Sequence, residues 1–307
     1  MSGVARHPTS RELAAIRAWY RPRRRAYPWR RAHPDPYAVL VSEVMLQQTQ
    51  APRVALVFER FLARFPDVRT LARASRPDVI RAWAGLGYNR RAVALHATAI
   101  AIEREHHGEV PGTVDALRTL PGVGPYTAGA VASIAFGAAV PAPDVNVRRV
   151  VARVLHGREP QDVAAGDLAT AAAAFLDRKD PGGWNQALMD VGRELCRPSP
   201  RCEACPLRRG CRFRAAGRLG APPAHPLGPP PTHPLGAPPD RRQAPFEGSA
   251  RQVRGRIVAA LRDRPSATLT TLVTAADVAE PRVLAAIDGL MRDGIVQRTG
   301  RGYRLHV

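Results

Sequence analysis

Apolar residues recur at helical spacing along most of the first 215 positions, and short breaks containing Pro, Gly or Asp separate the segments. The first segment is residues 10–20, where Ser10 is the expected N-cap and the apolar residues share one face. No segment alternates apolar and polar residues as a strand does. The pattern therefore predicts an all-α domain. Its further helices are VLVSEVMLQQT, VALVFERFLARF, PDVIRAWAGL, RRAVALHATAIAIEREH, VDALRTL, TAGAVASIAF, VNVRRVVARVL, AGDLATAAAAFLD and NQALMDVGREL.

The pattern changes after residue 215. Residues 216–248 are rich in proline and repeat the tetrapeptide HPLG, which is typical of an extended linker. Residues 249–307 predict three helices, and IVQRT-GRG-YRLHV then predicts a hairpin with glycine in its turn. We therefore expect a helical domain at 1–215, a linker at 216–248 and a small winged-helix-like α+β domain at 249–307.

The charge of the 307-residue chain indicates its partner. The formal net charge is +20 and the isoelectric point is about 11.4, which favours a nucleic acid over other partners. Of the 46 Lys and Arg residues only Lys179 is a lysine. Because no segment has the length of a membrane span or the features of a signal peptide, we expect a cytoplasmic, nucleoid-associated protein with no membrane partner. A monomer is the default expectation.

The segment LPGVGPYTAGA (Leu120–Ala130) predicts a tight hairpin between two helices, a helix–hairpin–helix unit at about residues 114–136. Gly122 and Gly124, with Val123 between them, let the backbone approach a partner without a Cβ in the way. The N–H groups at the start of the next helix then form a cradle for a phosphate. Such a contact binds the DNA backbone and reads no sequence.

Two acidic residues lie in contrasting surroundings. Glu43 shares its helix face with Val39, Leu40 and Leu46, so desolvation should raise the pKa of its carboxyl group. Asp144 stands just before a helix, where amide donors and the helix dipole should keep it ionised. Separated pKa values of this kind are the pattern of an acid–base pair. Taken alone, a buried or solvated glutamate and a purely structural cap are the more common interpretations.

All four cysteines lie close together, as Cys196-x5-Cys202-x2-Cys205-x5-Cys211. A structural zinc accepts four thiolates, and so does a [4Fe-4S] cluster. Zinc ribbons more often use two CxxC pairs, whereas this segment has one. Disulfides are not expected in the cytoplasm.

Five segments, in this order, resemble the MutY-type adenine DNA glycosylases, which are helix–hairpin–helix enzymes with an iron–sulfur cluster. They are SEVMLQQTQ (Ser42–Gln50), GLGY (Gly85–Tyr88), LPGVGPYTAGA, DVNVRRV (Asp144–Val150) and the cysteine cluster, and the similarity covers about residues 10–212. The resemblance implies a base excision repair enzyme. Such an enzyme hydrolyses the N-glycosidic bond of adenine mispaired with 8-oxoguanine or guanine in double-stranded DNA.

The resemblance also implies roles for single residues. Glu43 would protonate adenine and assist the water, Asp144 would stabilise the cationic sugar, and Asn146 would orient water beside Asp144. Related enzymes that also cut the strand resemble this one but carry a lysine at the position of Tyr126. Because Tyr126 is a phenol and the single lysine lies elsewhere, we expect an enzyme without strong lyase activity, in which Tyr126 either bonds in the pocket or only packs.

The remaining expectations from the resemblance concern DNA and the cluster. A base that leaves the stack must be replaced by a side chain, and four residues match positions that wedge into the duplex or contact the opposite base. Trp29 and Arg30 match the wall of the adenine pocket, although Trp29 and Leu86 alone are more typical of a core. The cysteines would hold a [4Fe-4S] cluster, with five residues instead of the usual six between the first two. The four wedge candidates are Gln48, Thr49, Leu86 and Tyr88.

Two alternatives stay open. A thymine or uracil mismatch glycosylase would share the hairpin, Tyr126, Asp144 and the cluster, but it would not need Glu43 as a purine acid. A redox-sensing DNA-binding regulator would use the cluster and the winged-helix-like region, but it leaves Glu43 and the hairpin unexplained. Many members of the resembled family carry a MutT-like domain at the C-terminus, and this chain does not, which leaves its preference for 8-oxoguanine open.

Overall fold

The computed structural model describes residues 5–24, 27–31, 34–217 and 246–307, so nearly all of the proline-rich stretch lies outside the described residues. The chain divides into two compact units. Unit 1 takes its residues from Met1–Val39, Gly112–Thr119 and Val123–Arg241, and unit 2 from Leu40–Pro111, Leu120–Gly122 and Arg242–Val307. Both are helical, which confirms the predicted fold class. In the described ranges, no helix is long and apolar enough to cross a membrane.

Unit 1 packs its helices around one apolar core that includes Ile16, Val150, Leu168 and Phe175. The ring of Trp184 meets that of Phe175 edge-on with centroids 5.5 Å apart, and its Nε1 donates to the Phe175 carbonyl at 2.7 Å. Each large side chain buried here contributes about 1.5–3 kcal/mol. The helices are α1 (Ser10–Arg23), α7 (Val114–Thr119), α8 (Pro125–Phe136), α9 (Val145–Val151), α10 (Ala165–Ala174), α11 (Pro181–Glu194) and α12 (Arg212–Ala215).

Two local features of unit 1 differ from the sequence prediction. Helix α1 is capped by Thr9 rather than Ser10, because the Thr9 Oγ1 accepts from the Glu12 amide while the Glu12 carboxylate accepts from the Thr9 amide. Helix α9 widens after Val151 into a π-turn at Ala152–His156, which ends at Gly157 with a φ of 65°.

Unit 2 contains two helical layers and a small hairpin. Phe61 and Trp83 pack edge-on at 5.9 Å in its N-terminal half. Helix α2 (Pro36–Leu46) begins in unit 1 and ends three residues before the predicted end at Thr49. Gln48 has a φ of 57°, a left-handed conformation in which a right-handed helix cannot continue. The other helices are α3 (Ala51–Arg64), α4 (Val68–Arg73), α5 (Arg76–Ala82), α6 (Arg90–His106), α13 (Ala250–Arg262), α14 (Leu269–Ala276) and α15 (Glu280–Arg292).

The last three helices are followed by the predicted hairpin. Strand β1 (Val296–Thr299) pairs antiparallel with β2 (Gly302–Leu305), with Val296 opposite Leu305 and Thr299 opposite Gly302. Gly300 and Arg301 form the two-residue turn between them. Three helices and a hairpin wing are the winged-helix arrangement expected from the sequence.

Candidate active site

Glu43 lies on α2 among apolar side chains, as its sequence neighbours predict. The residue is only 5% exposed, and Val39 and Leu40 on the same helix are 1% exposed. A carboxyl group in such surroundings is partly desolvated. Glu43 is therefore a buried carboxyl group on an apolar helix face, as the sequence predicts.

Asp144 caps α9, again as predicted. Its Oδ1 accepts from the Val147 amide at 2.7 Å, and its Oδ2 accepts from the Asn146 Nδ2 at 2.8 Å. The segment before it is fixed by the buried Asn185, whose side chain bonds the Ala142 amide at 3.1 Å and the Val140 carbonyl at 3.0 Å. The carboxyl group of Asp144 is thus held by local capping and by helix α11.

The electrostatics of Asp144 differ from the expectation. Although the residue keeps partial solvent contact, the protein around its carboxyl group is dense, and this burial raises the pKa of Asp144 despite the hydrogen bonds from Val147 and Asn146 and the charge of Arg149. The N-cap argument considered only the groups that lower the pKa of Asp144 and omitted desolvation, which acts in the opposite direction. An anion in such a place gains more than a solvated one from a positive charge that develops beside it.

Asn146 is fixed in one orientation, a feature that the sequence did not reveal. Arg149 donates from Nη2 to the Asn146 Oδ1 at 2.8 Å and to the Gly192 carbonyl at 2.7 Å, and from Nε to the Cys196 carbonyl. The Asn146 amide nitrogen must then point at Asp144. A chain of polar contacts thus joins Asp144 to the first cysteine.

Helix α11 brings further predicted residues together within unit 1. Arg30 forms a buried two-point ion pair with Asp190, at 2.8 and 3.2 Å. The hydroxyl of Tyr126, in the first turn of α8, donates to the Met189 sulfur at 3.8 Å. Trp29 is 5% exposed and stacks on Tyr27 with centroids 4.8 Å apart. One helix therefore contacts Arg30, Tyr126 and, through Gly192, the Asn146 network.

The turn after α2 holds Gln48 and Thr49, and a half-buried arginine of α6 connects it to the GLGY segment. The Thr49 hydroxyl lies 3.4 Å from the Leu86 carbonyl. Burial lowers the pKa of Arg91 to about 10, so its guanidinium stays charged at neutral pH. It donates to the carbonyls of Val44 (3.0 Å), Met45 (2.8 Å), Gln47, Leu86 (3.2 Å) and Gly87 (3.1 Å) and to the Thr49 hydroxyl (3.0 Å).

Leu86 and Tyr88, the two candidates in the GLGY segment for contact with the duplex, differ in exposure. Leu86 is 3% exposed and packs in the core, so it projects no side chain toward a duplex in this conformation. Tyr88 is 38% exposed and has a φ of 46°, a left-handed conformation that is uncommon for an aromatic residue. Of these two, Tyr88 is the residue that the fold presents to a partner.

The helix–hairpin–helix turn is exposed except at Val123, which is 7% exposed. Gly122 has a φ of 73°, and a Cβ there would lie 2.7 Å from the Ala94 Cβ. Gly124 is the N-cap of α8, so the free N–H groups of that helix begin at the exposed end of the turn. The structure therefore contains the exposed glycine turn and the following helix N-terminus that the sequence predicts.

The four cysteines line one cavity, together with apolar residues that include Val150, Leu207 and Phe213. All four are free thiols, and burial raises the pKa of each. Among the described residues, no three His, Cys, Asp or Glu side chains converge closely enough to hold a single metal ion. Four thiols around one apolar cavity suit a group larger than one ion.

Known proteins give the class of the molecule. The profile of the HhH-GPD superfamily of base excision DNA repair proteins matches residues 41–165. The adenine DNA glycosylase of Mycolicibacterium smegmatis is 39% identical over 287 residues, covering 93% of this chain and 92% of that protein. The adenine DNA glycosylase of Mycobacterium tuberculosis is 41% identical over 292 residues, covering 93% and 90%. A solved thermostable thymine-DNA glycosylase superposes with a TM-score of 0.62 at 27% identity, over 67% of this chain and 97% of that one.

The chain therefore belongs to the HhH-GPD superfamily of base excision DNA repair proteins. Its nearly full-length relatives are adenine DNA glycosylases, which confirms the MutY-type resemblance and the prediction of a DNA-acting repair glycosylase. The sequence missed Arg91, Arg149 and Asp190. The signal available for each was an ionisable residue inside an otherwise apolar helix.

Proposed function

We propose that this enzyme removes adenine from mispairs with 8-oxoguanine or guanine in double-stranded DNA and leaves an abasic site. The observation that carries the proposal is the buried Glu43 carboxyl group, 5% exposed, in a chain that aligns with adenine DNA glycosylases along more than nine tenths of its length. Purine departure needs a proton donor, and a desolvated carboxyl group is suited to that role. The enzyme acts as a monomer in the cytoplasm, and its charge of +20 supports association with nucleoid DNA.

The chemistry is divided between two acids. Glu43 donates a proton to a ring nitrogen of adenine, which makes the base a better leaving group. Asp144 faces the positive charge that develops on the sugar, and Asn146 and the Val147 amide hold its two oxygens in place. Desolvation disfavours the Asp144 anion in the free protein. The positive charge that develops on the sugar would therefore stabilise this carboxylate, and the carboxylate would stabilise the sugar cation.

The remaining predicted residues have supporting roles. Trp29 and Arg30 form the wall of the adenine pocket, and Asp190 holds Arg30 in position. Tyr88, Gln48 and Thr49 meet the duplex, while the hairpin with Gly122, Val123 and Gly124 binds backbone phosphate. Leu86 supports the turn from within the core.

Tyr126 makes the enzyme monofunctional. Its phenol contacts the Met189 sulfur, and a phenol cannot form a Schiff base with the sugar as an amine can. The single lysine, Lys179, is exposed in the loop before α11. Strand cleavage through a Schiff base therefore lacks a nucleophile at this position.

Cys196, Cys202, Cys205 and Cys211 would hold a [4Fe-4S] cluster, which would stabilise the loop through its thiolate ligands. Arginines between the ligands (Arg197, Arg201, Arg208 and Arg209) and Arg212 directly after the last one would present positive charge to DNA phosphates. We keep the segments 1–215, 216–248 and 249–307 as part of the proposal, with the last segment packed against α5 and α6.

One observation favours a second function. The similarity to a thymine-DNA glycosylase, with its TM-score of 0.62, fits an enzyme that removes thymine or uracil from mispairs. Glu43 separates the two, since a pyrimidine enzyme does not need a purine acid.

An excision assay tests the proposal. Purified protein is incubated with duplexes carrying A opposite 8-oxoguanine, A opposite G, T opposite G, and matched pairs, and breaks are read with and without alkali. We expect alkali-dependent breaks at adenine only. Glu43→Gln should lower the rate at least roughly 10²-fold with little change in duplex binding, because a general acid contributes that much. The matched control is Glu59→Gln, an exposed glutamate of α3. Breaks at thymine, or breaks without alkali, would refute the proposal.

A further inference from the structure

The C-terminal helices share a core with the helices on either side of the GLGY segment. Ile80 of α5 is fully buried in the cluster formed by α13, α14, α15 and the hairpin, and Val93 of α6 packs against it. A tethered module would instead have a closed core of its own. The winged-helix region is therefore built onto the part of unit 2 that carries Tyr88.

Three arginines of α5 and α6 attach that surface by polar contacts. Arg76 donates to the Gly294 carbonyl at 3.2 Å and lies 3.0 Å from the His306 Nδ1. Arg81 donates to the Arg262 carbonyl at 2.8 Å, and Arg90 lies 3.4 Å from Asp293. Since Arg81 precedes and Arg90 follows the GLGY segment, both ends of that segment are fastened to the C-terminal region.

Helix α13 contacts Tyr88, the exposed residue of the GLGY segment. Arg251, in the first turn of α13, donates from Nη1 to the Tyr88 hydroxyl at 3.1 Å. The N-terminus of α13, capped by Ser249, adds the positive end of a helix dipole. Tyr88 is thus presented together with a cation from a residue 163 positions away in the sequence.

The charges around this contact are mainly positive. Asp293 is shared by Arg90 and Arg254, so two cations surround one anion. Residues 249–307 contain ten arginines and five acidic residues. An excess of arginine beside an exposed aromatic residue is the pattern of a nucleic-acid surface.

We propose that Arg251 binds a backbone phosphate of the duplex next to the place where Tyr88 meets the DNA. The inference rests on the proposed function and extends it, because the C-terminal region becomes part of the surface that faces the lesion. Each strand carries one phosphate per about 3.4 Å of rise along the helix axis, so the backbone is close to any position that Tyr88 contacts, and Arg251 lies beside the Tyr88 hydroxyl. The guanidinium fork suits a phosphate in geometry as well as in charge.

The test compares salt-dependent binding of Arg251→Gln and of the wild type. Glutamine removes the charge while its amide can still donate to the Tyr88 hydroxyl. The probe is a duplex with A opposite 8-oxoguanine, in which a 2′-fluorine on the deoxyadenosine prevents excision. Binding is measured by fluorescence anisotropy between 50 and 200 mM salt. We expect the slope of log K against log salt to shrink by about 1 and the affinity to fall roughly 3–10-fold, equally for 8-oxoguanine, guanine or cytosine opposite the adenine.

Three variants serve as controls. Arg251→Lys keeps the charge and should keep the slope. Tyr88→Phe removes the hydroxyl contact but leaves Arg251 charged, so its slope should match the wild type. Arg264→Ala removes an exposed arginine at the other end of α13, about 20 Å away at 1.5 Å per residue, and should leave the slope unchanged.

A slope that Arg251→Gln leaves unchanged would overturn the inference, and so would a loss confined to one opposite base. An equal loss in Arg264→Ala would also overturn it, since that result would indicate general charge rather than a defined contact. Failure of the wild type to excise adenine would refute the proposed function instead, because the binding slopes are read on a duplex that is never cut.

Discussion

Arg91, which is half-buried, and Arg153, which is buried, each hold a loop region in place, and they differ in what balances their charge. Arg91 in unit 2 bonds five carbonyls and one hydroxyl, and no carboxylate of the described residues pairs with it. Arg153 in unit 1 donates to the Arg197 carbonyl at 2.6 Å in the cysteine loop, and its Nη2 also forms an ion pair with Glu159 at 2.7 Å. The guanidinium of Arg91 is therefore hydrogen-bonded by neutral groups, whereas that of Arg153 is paired with the Glu159 carboxylate.

The difference is visible in the pKa values. Burial lowers the pKa of Arg91 to about 10, and only Tyr88 opposes this effect. Burial also acts to lower the pKa of Arg153, but the hydrogen bond and charge of Glu159 and the proximity of Cys196 raise it above its usual value. The cysteine loop is therefore held by a compensated structural cation. The turn after α2 and the GLGY segment are held by a cation whose hydrogen-bond partners are neutral and which lies beside the ring of Tyr88.

The largest expected effect comes from breaking the compensated pair. Arg153→Met should lower the free energy of unfolding by roughly 3–5 kcal/mol, because Glu159 is left as a poorly solvated charge and the loop carbonyls lose their donors. Urea unfolding of the purified protein measures this. Glu159→Gln, which leaves Arg153 with neutral partners as Arg91 has, should cost less. If Arg153→Met were as stable as the wild type, the claim that the Arg153–Glu159 pair holds the cysteine loop would be refuted.

The next effect concerns activity rather than stability. Arg91→Lys keeps the charge, but one ammonium cannot bridge six acceptors on two turns, so Tyr88 and Thr49 lose their positions. We expect single-turnover excision to slow by roughly 10²-fold, the cost of a misplacement near 1 Å. The exposed Arg60→Lys is the control. An unchanged excision rate in Arg91→Lys would mean that the two turns keep their conformation without the hydrogen bonds of Arg91.

Asp144 extends the comparison to an anion whose hydrogen bonds and neighbouring cation do not outweigh its burial. Its pKa is raised in the folded protein, so stability falls as the pH rises from the unfolded pKa through the folded one. Asp144→Asn keeps an N-cap acceptor and removes the charge. At pH 7 it should be as stable as the wild type or more so, while excision slows by roughly 10²-fold or more. Its relative stability should decline toward pH 3.5, and a clear loss of stability at pH 7 would contradict the burial of this carboxyl group.

The smallest effect belongs to the pair of Arg6, which is partly exposed, and Glu12, which is buried. Burial acts to raise the pKa of Glu12, but hydrogen bonds from Arg6 and Thr9 outweigh it and the net shift is downward. Its stabilisation is therefore present above the unfolded pKa and is lost as the pH falls through the folded one. Glu12→Gln should cost about 0.5–1 kcal/mol at pH 7 and almost nothing near pH 3, as thermal melts at both values would show. A pH-independent cost would indicate packing instead of charge.

Local patterns were sufficient for much of the fold. The helices, the Asp144 cap, the exposed hairpin and the C-terminal wing follow from apolar spacing, capping residues and glycine positions within a few residues of each other. The failures were local as well. The cap of α1 shifted to Thr9, and α2 ended before Gln48, because neighbouring residues of similar propensity compete for the same position.

By itself, the sequence determined the helical class, the repair family, the burial of Glu43 and the grouping of the four cysteines, since these depend on residue type and near spacing. Only the tertiary structure decided the partners of the buried charges. Arg30 meets Asp190 across 160 positions, Arg251 meets Tyr88 across 163, and Asp144 is more desolvated than its cap implies. The physical reason is that desolvation and ion pairing depend on what packs around a group in space, whereas helix formation depends mainly on the next few residues along the chain.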